Sequence, residues 1–196
     1  MWCARIIKLK HPELAIQCAE KLKTAGYSFQ LDMYGEGQLR SQLELLIKNL
    51  KVDDIVKLHG NVPNAEIHKA MNDCDVFLCT SDRNEGWGAV VNEAMSNGCV
   101  VVGGSKIGAV PFLIKDGING MIFEDGKIDS LYEKVKFLFD NYDMITKLSK
   151  QAREDMAYVW SPTAAARNLL TLIEDLKSGH ETTLMEGPCS KAFPIN

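Results

Sequence analysis

The 196-residue chain lacks most of the features that would assign it at a glance. No apolar run approaches the roughly 18–20 residues needed to cross a bilayer. The opening Met1-Trp2-Cys3-Ala4-Arg5 has neither the apolar stretch nor the cleavage pattern of a secretory leader. Positive charge is not in excess: 22 Lys and Arg face 26 Asp and Glu, a net charge of -4, which argues against nucleic acid as the main partner. A local basic cluster could still hold one small anion. The six cysteines, at 3, 18, 74, 79, 99 and 189, form no C-x-x-C pair, and with four scattered histidines they show no metal-ligand spacing. Cys74, Cys79 and Cys99 lie in or beside apolar runs, where a free cysteine behaves as a small hydrophobe. A reducing, cytoplasmic setting is the simple expectation. No G-x-x-x-x-G-K-[ST] occurs, and no glycine follows the first strand-like run, where Lys8-Leu9-Lys10-His11-Pro12 stands instead. A P-loop NTPase and a dinucleotide-dependent dehydrogenase are both disfavoured.

What is present is a soluble-globular composition, 46% hydrophobic and 24% charged, in a chain long enough for one full-sized domain. Short β-branched runs predict strands at Trp2–Ile7, Phe29–Tyr34, Ile55–His59, Val76–Thr80, Cys99–Gly103 and Met121–Phe123. Several are apolar without alternation, as strands covered on both faces should be. Helical spacing fills the intervals. Leu14, Cys18, Leu22 and Ala25 mark one face, and Leu39, Leu43, Leu46, Ile47 and Leu50 the next. Ile67, Ala70 and Met71 mark a short third helix, and Leu131, Val135 and Leu138 another. Two closing helices are expected over about 142–158 and 162–177, the second opened by Ser161-Pro162. Repeated β-α units predict an α/β, Rossmann-like parallel sheet of about six strands with helices on both faces. The expected organisation is one domain over 1–177 and a loosely ordered tail, or a strap over another surface, over 178–196. Opening almost directly in a strand is what a piece of a longer chain would do.

The informative stretch runs Thr80-Ser-Asp-Arg-Asn-Glu85-Gly-Trp-Gly88-Ala-Val-Val-Asn-Glu93-Ala-Met-Ser-Asn-Gly98. It follows a strand and should open a helix near Gly88, at the carboxyl end of the sheet where open α/β folds bind ligands. Gly86 and Gly88 let the backbone approach a ligand, and the first helical N–H groups, with about half a positive charge from the dipole, suit a phosphate or a sugar hydroxyl. Glu85 precedes the helix and Glu93 lies more than a turn inside it. Carboxylates accept paired hydrogen bonds from vicinal diols, so each could hold a hydroxylated ring. On local chemistry alone, Glu85 is equally well a partner for the helix dipole and Glu93 a solvated helix residue.

Taken together, Glu85 and Glu93, eight positions apart around Gly-Trp-Gly and followed by Ala-Met and Gly98, resemble the E-x(7)-E signature of family 4 retaining glycosyltransferases of the GT-B fold. The usual form there is E-G-[FW]-G-x-x-x-x-E-A-M-x-x-G, and each fixed position is matched. The resemblance implies that Glu85 contacts the donor sugar, that the amides of Gly86, Trp87 and Gly88 serve sugar and phosphates, and that Glu93 binds the nucleotide ribose. Arg5 and Lys10 resemble the family's arginine and lysine, five residues apart, that clamp the diphosphate. Taken alone, they read as solvated charges near a strand end. Gly35-Glu36-Gly37 matches a G-[DE]-G turn, and His59-Gly60-Asn61-Val62 falls where the family forms part of its base pocket, which points to Val62. The likeness covers roughly Trp2 to Leu176. Lys106-Ile107 departs from it, because many relatives have a smaller or glycine-rich pair there.

The resemblance implies donor binding for transfer of a sugar from a nucleoside diphosphate to a hydroxyl with retention, in polysaccharide biosynthesis. The substrate would be a UDP-, GDP- or ADP-sugar. Neither cofactor nor metal is expected, since a cationic clamp can stabilise the leaving diphosphate. The acceptor, a glycan or lipid-linked glycan, would be bound by a preceding domain that this sequence does not contain, with peripheral membrane contact of the longer protein. Three alternatives stand: a non-catalytic nucleotide-sugar module or split subunit, a nucleotide-sugar epimerase, and a structural interaction domain.

Overall fold

The structure, a computed structural model, describes residues 1–191. Six strands alternate with helices: β1 (Trp2–Cys3), α1 (Pro12–Thr24), β2 (Leu31–Tyr34), α2 (Arg40–Asn49), β3 (Val56–Gly60), α3 (Asn64–Asn72), β4 (Val76–Cys79), α4 (Val90–Asn97), β5 (Val100–Gly104), α5 (Val110–Leu113), β6 (Met121–Phe123), α6 (Ile128–Asp140), α7 (Tyr142–Tyr158) and α8 (Pro162–Lys177). All pairings are parallel, in two three-stranded ladders ordered β1-β2-β3 and β4-β5-β6. The ladders meet edge to edge at Met1, whose amine donates to the Val76 carbonyl at 2.7 Å and whose carbonyl accepts from the Leu78 amide at 2.8 Å. That exchange is a parallel rung. The spatial order is therefore β3-β2-β1-β4-β5-β6, and the order reverses between β1 and β4.

Alternation along the strands sorts side chains to two cores. Val76, Leu78, Val100 and Val102 join α1, α2 and α6, whereas Phe77, Cys79 and Val101 join α3, α4 and α5. Helix α7 serves both, with Ile145 and Leu148 in the first core and Ala152 and Met156 in the second. Burial on both faces explains why β4 and β5 read as unbroken apolar runs. Helix α8 begins at an Ser161 cap whose hydroxyl accepts from the Ala164 amide at 3.1 Å. Residues beyond it return along the helix, with Asn168 donating to the Pro188 carbonyl at 3.0 Å and the Thr183 amide donating to Asp175 at 2.9 Å. The last part of the expected tail, 192–196, lies outside the described residues.

One element departs clearly from expectation. Strand β1 was expected to reach Ile7 but ends at Cys3, and Lys8–Lys10 form a 3-10 turn. The cause is the Gly35–Gly37 segment, which runs against this stretch: a Cβ on Gly35 would lie 1.9 Å from the Ala4 carbonyl oxygen, and one on Gly37 2.2 Å from that of Ile6. Only a side-chain-free backbone can approach so closely. Helix α5 is the other unforeseen element; its four residues are too few for periodicity to show.

The loop before β6 is tied to α7 by a buried amide. Asn119, with 0% of its surface exposed, donates to the Leu113 carbonyl at 2.9 Å and to Asp155 at 2.7 Å, and accepts from the Lys115 amide at 2.7 Å. Asn119→Ala leaves a buried carboxylate short of a donor, which costs about 1–3 kcal/mol. The expected readout is a thermal midpoint lower by about 3–10 °C. A midpoint within about 1 °C of the parent would show that the network does not hold this loop.

Candidate active site

The site lies at the carboxyl ends of β1 and β4, at the reversal in strand order, the position at which open α/β sheets form their ligand crevice. A buried hydrogen-bonded chain fixes both loops. The Trp2 indole N–H donates to the Thr80 hydroxyl at 2.9 Å, and that hydroxyl donates to the Lys10 carbonyl at 2.7 Å. Trp2 is 1% and Thr80 2% exposed, so neither group can turn to water instead. The Asp82 amide donates to the Leu9 carbonyl at 3.0 Å, a second tie between the same loops. Lys10 is thereby held over Glu85, and their ammonium and carboxylate form an ion pair with side chains 14% and 15% exposed.

Glu85 sits on a turn built by Asp82, which accepts from the Asn84 amide at 2.8 Å through its side chain and from the Glu85 amide at 3.0 Å through its carbonyl. Beyond it, the amides of Gly86, Trp87 and Gly88 donate to no acceptor among the described residues. Helix α4 follows at Val90, with Gly88 at φ +84°, a conformation that favours glycine. The turn is braced by the loop after β5. Ala109 donates to the Trp87 carbonyl at 2.7 Å, and a Cβ on Gly108 would lie 1.8 Å from the Gly86 carbonyl oxygen. Ile107, fully buried, presses its side chain 3.1 Å from where a Gly88 Cβ would be. The pair Lys106-Ile107 thus has a packing role: Ile107 is a prop under the glycine turn, while Lys106 is exposed.

Among the remaining expected site residues, Glu93 is exposed on α4 and close enough to Cys3 to matter electrostatically. Burial, helped by the Glu93 charge, pushes the Cys3 thiol up to about 11. Arg5 is exposed just past β1, and its guanidinium has no hydrogen-bond partner among the described residues. The Trp87 ring leans away from the turn, its N–H donating to Asn92 at 2.8 Å and its ring near Phe112 and Trp160, so only its main chain faces the crevice. Val62 stands apart. It lines a cavity with Tyr34 and His59, two rings stacked 4.6 Å apart, and Lys10, Glu85 and Glu93 do not line that cavity. Among the described residues no group of His, Cys, Asp and Glu is arranged to hold a metal ion.

Two residues of the site escaped sequence reasoning. Thr80 looked like a strand end, and nothing local says that Trp2 needs its hydroxyl. His11 adopts φ +43° and bridges Glu13 at 2.7 Å and Asp82 at 3.2 Å, linking the two loops a third time. Its position directly before Pro12, at a forced helix start, was the available signal.

The chain matches a known family over most of its length. Residues 2–155 match the family described as glycosyl transferases group 1. The chain belongs to that family. Among relatives of this glycosyl transferase chain, the amylovoran biosynthesis glycosyltransferase AmsK of Erwinia amylovora is 28% identical over 178 residues, 88% of this chain and 44% of its own length. The poly(ribitol-phosphate) alpha-N-acetylglucosaminyltransferase of Staphylococcus aureus is 26% identical, over 86% of this chain and 34% of its own. The S. aureus TarM G117R structure in complex with fondaparinux, alpha-GlcNAc-glycerol and UDP superposes with a TM-score of 0.77 at 25% identity, covering 87% of this chain and 34% of that one. The Anabaena Alr3699/HepE structure with UDP shares the fold, with a TM-score of 0.76 over 90% of this chain and 48% of its own. The chain therefore spans less than half the length of the curated relatives it matches.

The His11 bridge gives the site a pH-dependent brace. Burial opposes protonation, but hydrogen bonds and charge from Glu13, then Asp82, outweigh it and raise the imidazole pKa above its usual 6.5. A raised folded-state pKa contributes stability that is fully present below the unfolded value and lost as pH rises through the folded one. His11→Asn, which tolerates the left-handed backbone, should lower the urea midpoint more at about pH 5.5 than at about pH 8.5. An equal loss at both pH values would mean that the imidazolium is not what links the loops.

Proposed function

We propose that this chain is the donor-binding half of a retaining glycosyltransferase that moves a sugar from a nucleoside diphosphate to a hydroxyl acceptor in surface-polysaccharide assembly. The observation that carries the reading is the convergence, at one crevice, of the Lys10–Glu85 pair with the unengaged amides of Gly86–Gly88. Arg5 flanks it from the end of β1 with a planar fork suited to phosphate oxygens. Relatives named for amylovoran biosynthesis and for poly(ribitol-phosphate) support the polysaccharide setting. The UDP bound by TarM and HepE makes UDP the first nucleotide to test.

In the proposed reaction the bond from the anomeric carbon to the β-phosphate oxygen breaks, and the acceptor hydroxyl oxygen bonds that carbon from the same face. The acceptor proton passes to the departing phosphate oxygen. Arg5, Lys10 and the turn amides stabilise the charge that grows on the diphosphate as the bond breaks, which leaves no step needing a metal. Glu85 orients the donor sugar and Glu93 holds the ribose, while Val62, which lines a different cavity, is given no part in this site. Lys10 can serve the diphosphate only by sharing itself with Glu85, so the two subsites are electrostatically coupled. The acceptor is assigned to chain beyond this sequence. A cytoplasmic protein with peripheral contact to the inner face of a membrane fits the free thiols, and no helix among the described residues is long and apolar enough to cross the bilayer.

Calorimetric titration with UDP and UDP-sugars tests the reading. Arg5→Ala removes a charged hydrogen-bond partner, worth about 1.5–3 kcal/mol, and should weaken UDP about ten- to a hundredfold. Unchanged affinity for both UDP and GDP would overturn the clamp. Glu93→Ala should weaken free UDP, whereas Glu85→Gln should spare it and weaken only the sugar-bearing donor. The reverse pattern would mean that the two carboxylates have each other's role.

A further inference from the structure

Two cysteines with no part in the proposed donor crevice meet at the amino ends of β4 and β5, away from its carboxyl edge. Cys74 follows α3 and leads into β4, and Cys99 follows α4 and leads into β5. Those strands are hydrogen-bonded neighbours in the register Val76↔Val100. Their spacing, about 4.8 Å, lies inside the range of about 4.4–6.8 Å that the Cα atoms of a disulfide span. One carbonyl draws the pair together. That of Met71 accepts from the Cys74 amide at 3.2 Å and from the Cys99 thiol at 3.1 Å. Both cysteines pack in the core beneath α3 and α4, on the same face of the sheet.

The two thiols differ as an attacking and a resolving thiol do. Cys74 is half-buried and lines a surface hollow of about 210 Å³ with Asn72, Asp73, Gly98 and Arg153. Cys99 has none of its surface exposed. The Cys99 proton has two acceptors in reach, the Met71 carbonyl and the Cys74 sulfur. Hydrogen bonding from Cys99 outweighs burial and holds the Cys74 thiol below its ordinary value, while the same contact, with burial, pushes Cys99 up. A small oxidant entering the hollow meets the more accessible and more acidic sulfur first.

We propose that Cys74 and Cys99 form a reversible disulfide on reaction with a peroxide, stapling the end of α3 to the end of α4. The Cys74 thiolate attacks one peroxide oxygen, the O–O bond breaks, and the departing hydroxide takes up the thiol proton as water. Cys74 is then a sulfenic acid. The Cys99 sulfur attacks the Cys74 sulfur, the S–S bond forms, and the sulfenic hydroxyl leaves with the Cys99 proton as a second water. Two thiols and one hydrogen peroxide thus give one disulfide and two waters, and a thiol reductant reverses the bond. The chain between the cysteines carries Thr80, Glu85, the Gly86–Gly88 turn and Glu93, so the bond closes a covalent loop around that whole segment. The pairing is independent of which ligand the crevice takes.

The test treats the reduced chain with stoichiometric hydrogen peroxide and maps its peptides by mass spectrometry. The expected result is a loss of about 2 Da, one linked peptide pair holding Cys74 and Cys99, and recovery of the parent mass with dithiothreitol. Cys74→Ser should abolish the link and Cys3→Ser should keep it. The thermal midpoint of the oxidised chain should rise by about 5–10 °C, and amide exchange over Glu93–Asn97 should slow about tenfold. Oxidation of Cys74 to a sulfinic acid with Cys99 still free, or a link from Cys74 to Cys3, would overturn the pairing. A midpoint and exchange left unchanged by a complete link would overturn the stapling of the two helices. UDP titration of the reduced chain is read separately, so failure of the link leaves the donor-site reading standing.

Discussion

A single hydroxyl holds the site together. The indole N–H of Trp2, buried under α1, must find an acceptor, and the Thr80 oxygen is the one it meets. That hydroxyl has one proton to give and gives it to the Lys10 carbonyl. With donor and acceptor both engaged, its rotor is fixed, and the loop after β1 is held at a set height over the loop after β4. Every later feature of the crevice follows from this registration, including the Lys10–Glu85 pair and the second tie through Asp82. Because Trp2 and Thr80 are buried together, neither can be lost without leaving the other's polar group short of a partner.

Close backbone contact is the second constraint. The Gly35–Gly37 segment cuts β1 short by running against Ala4 and Ile6, and Gly108 lets the loop after β5 lie on the carbonyl of Gly86. Both approaches are closer than any side chain permits. The first forces the chain to turn at Ala4, which carries Arg5 and Lys10 to the mouth of the crevice instead of along a longer strand. The second presses the glycine turn from behind, so its amides point outward. Neither glycine cluster need touch a ligand to shape the place where one would bind.

Much of this was legible from the residues. The strands of the second ladder announced themselves as apolar runs because both faces are covered, and α7 and α8 fall where periodicity and the Ser161-Pro162 cap put them. The turn of Gly86 and Gly88 was legible as a helix start, whereas the roles of Glu85 and Glu93 came only from the resemblance, because local chemistry leaves a carboxylate beside a helix start equally well a partner for the dipole. Less legible were the contacts that join segments far apart in the chain. Trp2 and Thr80 are separated by 78 positions, and His11 and Asp82 by 71, so no window of sequence contains both partners. The end of β1 was misjudged for the same reason: the segment that stops it lies thirty residues on, about two elements away.

By itself, then, the sequence determined the α/β alternation, the positions of the longer helices, and a glycine turn bracketed by two carboxylates, since these depend on periodicity and short-range sterics. Tertiary structure alone decided that Lys10 meets Glu85, that the Trp87 ring turns away while its amide stays in the crevice, and that the residue after Lys106 is a buried prop. It also decided that the two ladders join at a single rung beside Met1. Those outcomes depend on which long-range polar groups find partners when the layers close, and burial makes that choice, not local preference.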